Sequence, residues 1–124
     1  MRLAQPFDSI AVGEYDNFTF DFSADMGSAT MVSTSWICML AHYQTVTDPN
    51  PQSRVVGASV QTTIQIRGGD GILRPRDGSF SVARIGGMPA SAAGGVYVLE
   101  ATANLSDGRI LKLNSTVACV AAGC

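Results

Sequence analysis

Residues 94–120 read GGVYVLEATANLSDGRILKLNSTVACV, and their pattern decides the fold. On the first arm Tyr97, Leu99, Ala101, Ala103 and Leu105 alternate with Val98, Glu100, Thr102 and Asn104. On the second arm Leu111, Leu113, Val117 and Cys119 alternate with Lys112, Asn114, Thr116 and Ala118. A period of two with one apolar face marks half-buried strands. Ser106-Asp107-Gly108 between them is a turn signal. Cross-strand partners point to the same face. A two-residue Asp107-Gly108 turn would set Ala103 against Lys112. A three-residue loop sets Ala103 against Leu111, Ala101 against Leu113 and Tyr97 against Val117. The pattern therefore predicts a type I turn with a bulge, Gly108 taking the left-handed conformation. Such a hairpin has one greasy face and needs a second sheet to cover it.

Working outward, Phe80, Val82 and Ile85 suggest a short strand, followed by a small-residue loop over 86–95. Val60, Thr62, Ile64 and Ile66 alternate with Gln61, Thr63, Gln65 and Arg67, which predicts a strand over 60–67. Thr45 to Gly57 carries Asp48-Pro49 and Asn50-Pro51 and reads as a loop. Thr30 to Tyr43 reads as a strand with Val32, Thr34, Trp36, Cys38 and Leu40 on one face. Phe18, Phe20 and Phe22 alternate with polar residues and predict an aromatic core strand. Ser23 to Ser28 reads as a polar loop. Ser9 to Val12 suggests a brief edge strand, and residues 1–9 a short arm interrupted by Pro6 and Asp8. About seven strands, no convincing helix and regular turn signals predict an all-β, immunoglobulin-like antiparallel β-sandwich. The organisation expected is an arm over 1–13, the sandwich over 14–120 and a tail over 121–124.

The 124 residues suit one domain with a single core. A formal net charge of -2 provides no basic field, so nucleic acid is not the expected partner. The first residues lack the apolar run of a signal peptide, and no stretch is long and apolar enough to span a bilayer. The chain is therefore expected to be made in the cytoplasm. An odd cysteine count, Cys38, Cys119 and Cys124, argues against a disulfide framework. Cys38 and Cys119 read as small buried hydrophobes. The alternative is an inter-sheet bridge, because Trp36 lies close to Cys38. Cys124 reads as an exposed terminal residue.

Signs of chemistry are sparse. The single histidine, His42, cannot build a zinc cluster and reads as the polar end of a strand. No nucleophile elbow is present. Asp21 and Asp25 lack the alternating oxygen ligands of a calcium loop. Gly68-Gly69-Asp70-Gly71 is followed by neither lysine nor helix, so it is not a phosphate loop. An enzyme, a metal and a cofactor are all unexpected. Arg67 to Gly78 contains four glycines, one proline and three arginines and is longer than most hairpin connections. It reads either as a solvated hairpin tip or as a contact surface. Arg67, Ile72, Leu73, Arg74, Pro75 and Arg76 combine arginine with apolar neighbours, the composition that interfaces enrich, and are the candidate protein-interface residues.

The order FTFDFS (18–23), STSW (33–36), VQTTIQIR (60–67), SVARIGG (81–87) and VYVLEATANLSDGRILKLNSTVACV (96–120) resembles the immunoglobulin-like neck and tail proteins of tailed phages described as fiber-tail adaptors. The resemblance covers residues 14–120, and the long insert Gly69 to Ser79 departs from it. It implies a non-enzymatic virion component between head-tail connector, tail and fibers. The partners it implies are those proteins and further copies of the chain in a symmetric assembly. The alternative is a decoration or carbohydrate- and host-surface-binding module on a capsid or tail, which grouped loop aromatics would favour. Here the aromatics sit mostly in strands.

The register carries a direct test. Alanine at Gly108 is expected to destabilise the protein by roughly 1 kcal/mol or more, read as a lower denaturation midpoint.

Overall fold

The computed structural model describes residues 2–3, 7, 9–41, 45–61, 64–67, 73–76 and 80–121. Its strands are β1 (Arg2–Leu3), β2 (Ile10–Ala11), β3 (Tyr15–Asp21), β4 (Met31–Leu40), β5 (Val55–Gln61), β6 (Ile64–Arg67), β7 (Leu73–Arg76), β8 (Phe80–Gly86), β9 (Val96–Leu105) and β10 (Ile110–Val120). A helical turn, α1 (Ser23–Met26), follows β3.

The larger sheet has the order β1-β10-β9-β4, with β2 also paired to β10. The smaller sheet has the order β3-β8-β5, and β6 and β7 form a separate ribbon. β1 and β2 both run parallel to β10 along one edge. Counted as one interrupted strand, they give sheets of four and three, the all-β sandwich of seven strands that the alternation predicts.

The final hairpin has the predicted register. Ala103 faces Leu111, Ala101 faces Leu113 and Tyr97 faces Val117. The Leu105 N–H donates to the Arg109 carbonyl at 2.9 Å, which leaves Ser106 to Gly108 as the loop. Gly108 has a φ of 89°, the left-handed value that permits this turn.

Between the sheets lie Phe18, Phe20 and Phe22 from the β3 segment, Trp36 and Cys38 from β4, and Tyr97, Leu99, Ala101 and Ala103 from β9. Ala101 and Ala103 are small, and the Trp36 indole lies within 5.0 Å of the Phe20 ring (centroid to centroid). The indole N–H donates to the Ser81 hydroxyl on β8 at 2.6 Å, a buried bond from sheet to sheet. Phe7 meets Phe18 and Phe20 edge-on at 4.9 and 5.2 Å. Its N–H donates to the Thr116 carbonyl of β10 at 2.9 Å, so the arm closes the gap between β3 and β10. Within the arm read as irregular, Arg2–Leu3 also joins the larger sheet.

Several sequence expectations are corrected. Val32 is 67% exposed rather than inward, because a register shift between Met31 and Ser33 hands its place to buried Met31. β4 ends at Leu40; His42 and Tyr43 lie outside the described residues. The strand expected over 60–67 is split, with β5 starting at Val55 inside the presumed loop and β6 resuming at Ile64. Thr62 and Thr63 lie outside the described residues. Ser23 to Ser28 contains α1, whose Met26 is buried.

Cys38 and Cys119 are both buried and free. They stand on β4 and β10, on either side of β9. Two strand spacings put their backbones at least about 9.5 Å apart, beyond disulfide reach. The inter-sheet bridge is thereby excluded, and Cys124 lies outside the described residues.

Trp36→Ala is expected to cost about 3–5 kcal/mol, because it opens a cavity and strips Ser81 of its indole partner. Urea or thermal unfolding checks it; a parental midpoint would contradict the packing.

Candidate interaction surfaces

The polar side chains divide between clamps that hold the sandwich and residues left on its outer faces. The largest clamp forms at the end of the molecule where β4 gives way to β5. Asp48 has a fully buried carboxylate. Arg54 grips it through two bonds, Nε to Oδ2 at 2.9 Å and Nη2 to Oδ1 at 2.8 Å. The third guanidinium arm donates to the Gly87 carbonyl at 2.7 Å. The Tyr97 hydroxyl donates to Asp48 Oδ2 at 2.5 Å, and the Asn50 N–H to Oδ1 at 3.0 Å. With its oxygens shared among donors, Asp48 is held as an anion, its pKa lowered to about 2 chiefly by the Arg54 bond. Burial, reinforced by Asp48, raises the Tyr97 pKa. Both groups keep one protonation state near neutral pH, which suits a structural clamp and not proton transfer.

Gln52 extends the clamp to the edge of β4. Its Oε1 accepts from the Cys38 N–H and its Nε2 donates to the Trp36 carbonyl, both at 3.0 Å. The side-chain amide thus stands in for a neighbouring strand. Burial pushes the Cys38 thiol up to about 12, so it is not a nucleophile. At the opposite end Arg109 donates to the carbonyls of Asp25 at 3.0 Å and Met26 at 2.7 Å, the free end of α1. It also pairs with Asp107 at 2.7 Å, fastening α1 to the final turn.

Among the described residues no group of histidine, cysteine and acidic side chains is placed to hold a metal. No described helix is long and apolar enough to cross a membrane. A shallow groove of about 340 Å³ on the smaller sheet is lined by Asn17, Val56, Gly57, Ser59, Val82 and Arg84. Arg84 lies 5.3 Å from the Tyr15 ring centroid, and little other polar chemistry converges there.

The outer face of the larger sheet is divided along its length. Towards the final turn it carries Ser35, Thr102, Asn104, Lys112 and Asn114, with exposed Ile110 beside Asn104. Towards the Asp48 clamp it carries Ile37, Met39, Val98, Ala118 and Val120, with Met39 and Thr116 on either side of Val98 and Ile37 beside Glu100. Ile37, Met39 and Val120 are 43, 44 and 37% exposed. These exposed apolar side chains lie together on the face near the clamp end. Alternation along β4 puts Ile37 and Met39 opposite in face to Trp36 and Cys38, but Val98, Ala118 and Val120 become their neighbours only through the register.

The predicted interface residues do not form one loop. Arg67 closes β6, while Leu73, Arg74, Pro75 and Arg76 make up β7, paired in the order Arg67 to Leu73, Ile66 to Arg74, Gln65 to Pro75 and Ile64 to Arg76. Pro75 is tolerated because each strand of a two-stranded ribbon is an edge. Ile72 lies outside the described residues, as does His42. The connection expected over 67–78 thus contains strand at Arg67 and Leu73–Arg76, and in sequence it lies between Gln61 and Phe80, the last pair of the β5–β8 hairpin.

Comparison with protein-family models and with curated proteins found no match.

The clamp predicts a pH dependence. The Asp48 pKa lies below its unfolded value, so its contribution is complete above about pH 4 and is lost as pH falls towards 2. Asp48→Asn is expected to destabilise by about 3 kcal/mol or more, leaving Arg54 without its anion. It should also flatten this acid limb in denaturation curves measured across that range.

Proposed function

We propose that this chain is a non-enzymatic structural component of a tailed-phage virion, an adaptor in the neck or tail region that links connector or tail to fibers. The observation that carries the reading is the division of labour among its side chains. The buried polar clusters are occupied with holding loops, whereas the larger sheet leaves apolar side chains exposed and the β6–β7 ribbon pairs with no other described strand. Those are means of binding macromolecules. The ordered sequence resemblance to fiber-tail adaptors gives that binding a setting. Partners would be connector, tail or fiber proteins and further copies of the chain, with virion localisation following from them.

A sugar-binding decoration module is supported less well. Phe18, Phe20, Phe22, Trp36 and Tyr97 are all buried, whereas sugar platforms need exposed rings. Tyr15, at 50% exposure, lies beside Arg84.

The ribbon can be removed cleanly by joining Gln61 to Phe80 through a two-residue turn. The shortened chain is expected to keep its strand circular dichroism and cooperative melting but to be lost from assembled particles. Normal incorporation, with fibers present in electron micrographs, would overturn the interface role of the ribbon. Fibered particles assembled without the chain altogether would overturn the adaptor reading.

A further inference from the structure

The β6–β7 ribbon is rooted at the end of the sandwich opposite the apolar patch. The ribbon leaves β5 and β8 beyond Gln61 and Phe80, and Asp21 also pairs with Phe80 there. α1 follows Asp21, and Arg109 ties α1 to the final turn, so the ribbon, α1 and that turn share one end. The patch occupies the other end, where Leu40 pairs with Tyr97 and Tyr97 reaches Asp48. The ten residues of β9 between these ends span about 33 Å.

Each surface is incomplete alone. β6 and β7 pair with each other and with no other described strand. A lone two-stranded ribbon is marginally stable in water and gains from a surface that covers it. Its register puts Ile64 with Arg76 and Ile66 with Arg74, so these four occupy positions of one face. The patch offers the matching set. Ile37, Met39, Val98, Ala118 and Val120 are aliphatic, and Glu100 stands at their inner margin beside Ile37. Glu100 keeps a loose 3.7 Å pair with Lys112, open to a second cation. Packing this face on its own copy about an axis along β9 would set Glu100 against Glu100, which disfavours that symmetric arrangement.

We infer that the ribbon of one copy docks on the apolar half of the larger sheet of the next. Its isoleucine positions meet Ile37, Met39 and Val98, and its arginine positions meet Glu100. Because donor and acceptor surfaces differ, the contact is heterologous and propagates into a ring or filament. The inference rests on the reading of the chain as an interaction module, not on its place in a particle.

Sedimentation of the purified full chain tests it with two variants. One is Ile64→Ser with Ile66→Ser, the other Ile37→Ser with Met39→Ser. Ile37 and Met39 lie outside the buried core, and unchanged melting serves as the folding control for both variants. The parent is expected to form species larger than a monomer as concentration rises. Each variant alone should be monomeric. Their mixture should give a one-to-one dimer that grows no further, because one intact ribbon then meets one intact patch. A parent that stays monomeric, or an Ile64/Ile66 variant that assembles like the parent, overturns the proposal. A monomeric parent whose ribbon is nonetheless required for particle incorporation would refute the self-contact and leave the adaptor reading standing.

Discussion

The pairing of β9 on both sides is the constraint on which the rest of the molecule depends. β9 sits between β10 and β4 and sends Tyr97, Leu99, Ala101 and Ala103 inward with no measurable exposure at all. Its inward side chains are large at Tyr97 and Leu99, small at Ala101 and Ala103, and large again at Leu105. The small stretch leaves room for Trp36, and Trp36 in turn positions Phe20 and Ser81 of the opposite sheet. The Tyr97 end carries a hydroxyl that must find a partner once buried. It finds Asp48, and Asp48 fixes Arg54. One strand thus determines the core packing along its small stretch and the loop clamp at its Tyr97 end.

Side chains also do work that backbone would do in a larger sheet. Gln52 covers the middle of β4 with an amide that copies the hydrogen-bond pattern of a strand. Phe7 covers the opening between β3 and β10 with a ring and one main-chain bond. Arg109 supplies the carbonyls at the end of α1 with donors. Each device closes a place where a small sandwich would otherwise expose unpaired backbone or apolar rings. Exposed apolar residues elsewhere on the larger sheet are therefore not the residue of careless packing.

Much of this was legible in the residues. Strict alternation fixed the inward faces of β3 and β9, and the requirement that like face like selected the three-residue turn with Gly108. Legibility failed where one extra residue or one distant partner intervened. The bulge after Met31 inverts Val32, and alternation alone does not announce a bulge. β7 was hidden because Leu-Arg-Pro-Arg has no strand signature; its pairing with Ile64–Arg67 makes it one. The Asp48, Gln52 and Arg54 clamp lay inside a proline-bearing loop. Its acceptors and donors, Tyr97, Gly87, Trp36 and Cys38, are distant in sequence or belong to backbone. Phe7 could not be assigned because its neighbours, Phe18 and Phe20, already satisfied the aromatic strand.

The closed edge of β4 bears on how such a module can meet a partner. An exposed edge strand invites another strand to add to it, with affinity from main-chain bonds that any sequence can supply. Gln52 occupies the Trp36 carbonyl and the Cys38 N–H, so addition there must first displace a clamp anchored through the neighbouring Asp48 and Arg54. β1 and β2 likewise occupy the outer edge of β10. With the middle of the β4 edge and the paired parts of the β10 edge engaged, the face of the larger sheet is the more accessible surface. A face recognises side chains rather than backbone, and side-chain recognition discriminates among partners where strand addition does not. If the chain acts as the proposed adaptor, engaging edge groups while leaving apolar side chains on the face favours a specific contact over indiscriminate strand pairing.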